Sequence, residues 1–199
     1  MKKTVQEVKR ENVRQLYKNI LSERSTSLNP AMIRVKEDAN STFTSVNLSY
    51  NVLTNGRESV VHSDSSQSRG FMDGIYKACY KTLSSEYSSL SNLQLYDYRV
   101  KPDFSRKTDA FGADAGVEVS VMVQVKDHGI AEFNNYSRSL IHSSFCATLD
   151  VFEFYINCQK AFDKLQTVLK DARKRSRADI EQQCVLNLCT LTAVNNYVK

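Results

Sequence analysis

Five valines occupy every second position from Val117 to Val125. No other segment limits the possible folds so tightly. β-branched residues at period two describe a strand with one face on a core and one facing out. Glu118, Ser120, Gln124 and Lys126 fit the outward face. Upstream, Leu93, Leu95, Asp97 and Arg99 alternate with Gln94, Tyr96, Tyr98 and Val100, a second strand joined to the first by a polar loop. Asp127-His128-Gly129 reads as a tight hairpin turn, because glycine tolerates positive φ. Ile130 to Tyr136 is then the returning strand.

Helix-period segments flank this sheet signal. In residues 1–24, Val13, Leu16, Tyr17, Ile20 and Leu21 form a single apolar stripe opposite a Lys/Arg-rich face, which predicts a surface helix packing on the domain or on another chain. Ser25 to Ser41 is polar and contains Pro30, so it reads as a linker and as the best domain boundary. Phe43 to Leu53 alternates as a strand. Asn55-Gly56 is the strongest short hairpin signal, and Glu58 to Ser63 returns as the next strand. Asp64 to Arg69 reads as a polar loop, and Ser63–Ser68 and Ser84–Ser91 as loop composition. Phe71, Gly74, Ile75, Ala78, Cys79 and Leu83 repeat at helical spacing, with Asp73 in the first turn.

Helix period returns with Leu140, Ile141, Ser144, Ala147, Thr148, Val151, Phe152 and Tyr155, and continues through Phe162, Leu165, Val168, Leu169 and Ala172. That length predicts either a break or a projecting interaction arm. Lys170–Arg177 is a charge run, read as a solvated helix face. Cys184 to Val198 is apolar, too short to span a bilayer, and expected to pack back on the body or on a neighbouring chain. The order implies an α+β fold. Two pseudo-symmetric ββ(β)α units form a mostly antiparallel sheet with helices on one face, plus N- and C-terminal helical extensions. The boundaries are 1–41 for the N-terminal helix and linker, 42–162 for the α+β domain, and 163–199 for the C-terminal helical extension.

Composition narrows the function classes. With 41% hydrophobic residues over 199 positions, the chain can bury a sizeable core. No apolar run reaches the ~18 residues of a membrane helix. The first fifteen residues lack the apolar region of a signal peptide. Five cysteines with no CxxC spacing fit reduced thiols, so a cytoplasmic location is expected. Cys79, Cys146 and Cys158 fall in helical patterns and read as small apolar residues. The net charge of +5 permits a nucleic-acid partner without arguing for one. His62, His128 and His142 belong to no metal or catalytic spacing, and there is no Walker loop, GxGxxG or GxSxG. Asp109 and Asp114 flank Gly112; they could bind a cation, but read better as the end of a loop and the start of a strand. The chain is therefore read as non-enzymatic and cofactor-free.

Leu95-Tyr96-Asp97-Tyr98-Arg99-Val100, followed by Gly112-Ala113-Asp114-Ala115 opening a valine-rich strand, resembles the C-terminal regulatory domain of 2-isopropylmalate synthase and citramalate synthase. Ser68-Arg69-Gly70-Phe71-Met72-Asp73-Gly74 is similar to that family's glycine loop before a helix, with Ser68 in place of its first glycine. Ser143-Ser144 with Ala147 looks like the helix that follows the second unit. The resemblance covers about residues 42–162. Nothing in the chain resembles the family's catalytic barrel. The resemblance implies a dimerising, non-catalytic domain that senses leucine or isoleucine and regulates a synthase. It implies a ligand loop of Ser68, Arg69 and Gly70 with Met72 and Asp73 on the first helical turn. The apolar wall is implied as Leu95, Tyr98, Pro102, Ala115 and Val117. Three further departures accompany Ser68: Asn134-Asn135-Tyr136 stands where the family prefers glycine, Asp73 brings a negative charge near the expected carboxylate position, and the loop Lys101–Phe111 is longer than usual. The alternative is a protein-interaction module that kept the fold and lost sensing, using the helices at 1–24 and 163–199. A third reading, nucleic-acid binding through Lys170–Arg177 and the basic N-terminal helix, lacks any aromatic-interleaved basic strand.

Overall fold

The computed structural model of the protein describes residues 5–37, 40–103 and 115–197. The chain runs α1 (Val5–Leu21), β1 (Thr26–Glu37), β2 (Thr44–Thr54), β3 (Arg57–Ser68), α2 (Phe71–Leu83), β4 (Leu93–Asp103), β5 (Gly116–Val125), β6 (Gly129–Ser137), α3 (Leu140–Lys174) and α4 (Ala178–Thr192). The strands form two three-stranded antiparallel sheets, β1-β2-β3 and β4-β5-β6, each followed by a helix. The duplication expected from the sequence is present, and its first unit is more complete than expected. Residues 26–37 are not a linker: they are strand β1, paired along β2 from Thr26↔Thr54 to Glu37↔Thr44. Pro30 is accommodated because β1 is an edge strand, and the pairing slips beside it, between Pro30 and Met32. The slip blurs the period-two signal that marks a strand in sequence.

The turns follow local chemistry. Asn55 and Gly56 both take positive φ, 55° and 71°, which gives the two-residue β2–β3 hairpin its twist. Gly129 lies at φ 87° in the β5–β6 turn, as the sequence predicts, and Asp127 also takes positive φ.

Residues 64–68 also depart from expectation. They extend β3, with Ser65 and Ser68 on its inward side and Ser66 exposed. Ser63 Oγ donates to the carbonyl of Ala78 at 2.6 Å, and Thr82 Oγ1 donates to Ser63, so this strand is hydrogen-bonded to the face of α2. In β4 a bulge between Leu95 and Asp97 reverses the alternation, so that Tyr98 rather than Asp97 joins Leu95 on the core side.

Helix α3 is the centre of the molecule. It packs against α1, α2, α4 and strands β1, β5 and β6. The alternate valines of β5 lie beneath it, with Val119, Val121 and Val123 fully buried. From Ser143 to Cys158 nearly every side of α3 is buried, which a single-stripe reading does not anticipate. Aromatic contacts mark its neighbours: Tyr17 of α1 meets Phe154 edge-on at 6.0 Å, Tyr50 of β2 meets Phe145 at 6.5 Å, and Tyr76 of α2 meets Phe152 at 5.3 Å. Cys79 and Cys158 are buried in this core, whereas Cys146 is half-buried.

One polar stripe on α3 seals the outer edge of β1. Asn157 accepts from the Thr26 N–H at 2.7 Å and donates to the Thr26 carbonyl at 2.8 Å. Glu153 accepts from the Leu28 N–H at 2.9 Å, and Lys160 donates to the Arg24 carbonyl and to Thr26 Oγ1. Buried backbone groups need partners, and an open strand edge invites foreign strands; these side chains answer both demands.

The helix neither breaks nor projects. Its C-terminal third lies along α4, with Leu165, Leu169 and Ala172 buried against Cys184, Leu188 and Leu191. After α4 the chain returns to the body: Tyr197 stacks on Phe162 at 4.8 Å, and Asn92 donates to Asn195 and to the Asn196 carbonyl. The 170–177 charge run is largely paired at the α3–α4 turn, through Arg173–Glu181, Arg175–Asp171 and Arg177–Asp179. No helix among the described residues is long and apolar enough to cross a membrane.

Candidate functional site

The expected ligand loop lies where β3 hands over to α2. Ser68, the last residue of β3, is fully buried, and its hydroxyl lies 2.6 Å from that of Ser65. Gly70 begins the helix at φ 134°, a conformation that L-residues rarely adopt, although the space around its Cα is open. The Gly70 carbonyl accepts the first helical bond, from Gly74 N–H at 3.1 Å. Free N–H groups at such a turn would attract a carboxylate. That role is already filled from within. The Asp73 carboxylate accepts the Arg69 N–H at 3.0 Å and the Lys77 ammonium at 2.7 Å. Met72 turns away from the loop and is buried in the core.

The expected wall is partly assembled. Tyr98 meets Phe71 of the first turn of α2 edge-on at 5.9 Å, and its hydroxyl lies 3.0 Å from Ser144 Oγ of α3. Burial pushes the Tyr98 phenol above its ordinary pKa, and the Ser144 hydrogen bond opposes this. Tyr98 therefore links the first turn of α2 to Ser144 of α3. Leu95 is half-buried against the same core, and Val117 is buried opposite the exposed Pro102. Ala115 is half-buried just before β5. Gly112, Ala113 and Asp114 of the motif, Asp109, and most of the 101–111 loop lie outside the described residues.

The second unit differs. Asn134-Asn135-Tyr136 is not a loop but the continuing strand β6. Tyr136 lies across Gly116, where any Cβ would collide with the phenol. α3 starts instead at Ser139, whose side chain accepts the His142 N–H, while Ser143 Oγ donates to Ser137 Oγ.

The histidines gather no catalytic partners among the described residues. His142 is exposed and lies 3.4 Å from Cys146 Sγ one turn on, but burial pushes that thiol up, away from the reactive thiolate. No cluster of three or more His, Cys, Asp or Glu suited to a metal occurs among the described residues.

Sequence reasoning missed a second constellation, around Arg10 on α1. Its guanidinium lies over the Phe133 ring at 4.8 Å, and its Nη1 is buried with no hydrogen-bond partner. One turn on, Arg14 makes a two-pronged contact with Asp150 of α3 at 2.8 and 3.1 Å. In sequence these arginines belong to an ordinary basic helix face; only the packing of α1 onto α3 and β6 buries them.

No protein-family model matches this chain, and no curated protein matches it.

Proposed function

We propose that the protein is a non-catalytic regulatory module, a dimerising domain that answers to a branched-chain amino acid and controls a synthase. The observation that supports this reading is the contact between the two βββα units at Tyr98: on the wall strand, its ring meets Phe71 at the start of α2 and its hydroxyl meets Ser144 on α3. An aliphatic side chain entering beside Phe71 and Tyr98 would find an apolar surface, and the module has the duplicated architecture that the resemblance implies. Partner and ligand both belong to this reading.

The test is thermal unfolding of the purified chain with leucine, isoleucine, valine and unrelated amino acids, beside its mass in solution. A ligand at 100 times its Kd adds about 2.7 kcal/mol to stability. A shift with one branched amino acid, on a dimer, supports the sensor. A monomer at micromolar concentration sinks it.

Asp73 favours a second reading. Because its carboxylate already accepts the Arg69 N–H, an amino acid's carboxylate would meet a like charge at this loop. A module that kept the fold and lost sensing at this loop, serving protein interaction or assembly instead, accounts for that contact. A dimer with no response to any branched amino acid is its expected signature.

A further inference from the structure

His142 and Cys146 stand one turn apart at the start of α3, with the imidazole Nε2 3.4 Å from the thiol Sγ. His142 is exposed and Cys146 half-buried, so the pair lies at the surface. Two residues along a helix turn it by about 200°, which places both on the opposite side of α3 from Ser144 and its contact with Tyr98. The other thiols have no such setting: Cys79, Cys158 and Cys184 are buried, and Cys189 is exposed on α4. A tetrahedral zinc ion holds thiolate at about 2.3 Å and imidazole at about 2.0–2.1 Å, which sets these two ligand atoms about 3.5–3.6 Å apart. His142 Nε2 and Cys146 Sγ are therefore already close to the bite of such an ion. A thiol–imidazole hydrogen bond has the same length, and metal binding is what distinguishes the two. The ligands are also held in place: both sit on one helix, and Ser139 fixes its first turn by accepting the His142 N–H at 3.3 Å. Thiolate and imidazole select zinc and its late transition-metal neighbours over magnesium and calcium, which prefer oxygen. Burial pushes the Cys146 thiol up. A cation of this class displaces the thiol proton to solvent and binds the thiolate. Two protein ligands leave two tetrahedral positions to water, which describes an exchangeable site and not a structural one closed by four protein groups.

We propose that His142 and Cys146 form a two-ligand surface site on α3 for zinc or a like late transition-metal dication, held through His142 Nε2 and Cys146 Sγ. The site goes beyond the sensor reading. It uses neither the α2 loop nor the wall strand, and its failure would leave that reading as it stands.

The test titrates the full chain, kept reduced, with Co²⁺ and then Zn²⁺. Cobalt bound to a thiolate gives a sulfur-to-metal charge-transfer band in the near ultraviolet, which a hydrogen-bonded thiol does not. The expected result is such a band saturating at one cobalt per chain, bleached by an equivalent of Zn²⁺ and untouched by a large excess of Mg²⁺. Cys146→Ala is expected to abolish the band, and His142→Ala to weaken zinc binding at least tenfold, measured by competition with a chromophoric chelator. Cys189→Ala, which removes the exposed thiol on α4, is expected to change neither. Because His142 is exposed, His142→Ala decides the matter if Cys146→Ala does not fold. No band in the wild-type chain means a hydrogen bond only and overturns the site. So does a band that survives Cys146→Ala or is lost in Cys189→Ala. Zinc affinity unchanged in His142→Ala overturns it as well, since it means adventitious binding to a thiol only.

Discussion

Two glycines show how much depends on what a residue touches. A Cβ on Gly74 would lie 2.4 Å from Val46 Cγ2 and 3.3 Å from Ser68 Oγ, inside the packed contact between α2 and β2. A Cβ on Gly116 would strike the Tyr136 ring, but Tyr136 is 40% exposed and its ring can swing outward. Gly74→Ala is therefore expected to lower stability by about 1–3 kcal/mol, and Gly116→Ala by less than about 1 kcal/mol, measured by urea unfolding. Adding Val46→Ala to Gly74→Ala should give a loss smaller than the sum of the two single losses, since the smaller side chain makes room. Asn157 is the polar counterpart. It satisfies both the N–H and the carbonyl of Thr26 in a buried setting. Asn157→Leu keeps the volume and removes both bonds, and a loss of about 2–3 kcal/mol is expected in the same measurement. A loss under half a kcal/mol would mean that the β1 edge finds other partners.

At the level of elements, α3 acts as a scaffold because one face is polar where β1 needs hydrogen bonds and the remaining faces are apolar where sheets and helices pack. Glu153 carries the cost of that design. Burial pushes its carboxyl up, and the hydrogen bond from Leu28 N–H opposes this only in part. A glutamate whose folded pKa is raised loses its proton more readily in the unfolded chain. Its contribution to stability is thus full below the ordinary glutamate pKa and is lost as pH rises through the raised value. Glu153→Gln keeps an oxygen to accept from Leu28 and has no charge to bury. The variant is expected to gain stability relative to wild type between pH 4 and pH 7, read as a growing difference in urea midpoint. A difference that stays flat across that range would remove Glu153 from the pH response.

For the whole molecule, the two units are not independent. The apolar face of α1 and the edge of β1 are both completed by α3, which belongs to the second unit. Residues 1–87 made alone should therefore lack a cooperative thermal transition, checked by circular dichroism; a sharp transition would show that the first unit holds its own core. The same interdependence explains what could be read in the sequence. Local chemistry wrote itself plainly: the valines of β5, the Asn55-Gly56 hairpin, the apolar stripe of α1 and the helix period of α2 are properties of short segments. β1 escaped notice because Pro30 and the slip in register beside it break the alternation, and what makes those residues a strand is their pairing with β2 and the side chains of α3. The β4 bulge likewise decided that Tyr98, and not Asp97, faces Phe71. At the candidate site the sequence located the α2 loop and the wall strand, but not that Asp73 would accept the Arg69 N–H. It also could not reveal Arg10, since a basic residue on a basic helix face acquires meaning only when another element covers it. The sequence by itself determined the α+β class, the repeated strand-and-helix pattern and most of the turns, because each follows from the preferences of neighbouring residues. The tertiary structure alone decided which polar groups were buried and which remained unpaired, because burial depends on contacts between segments far apart in the chain.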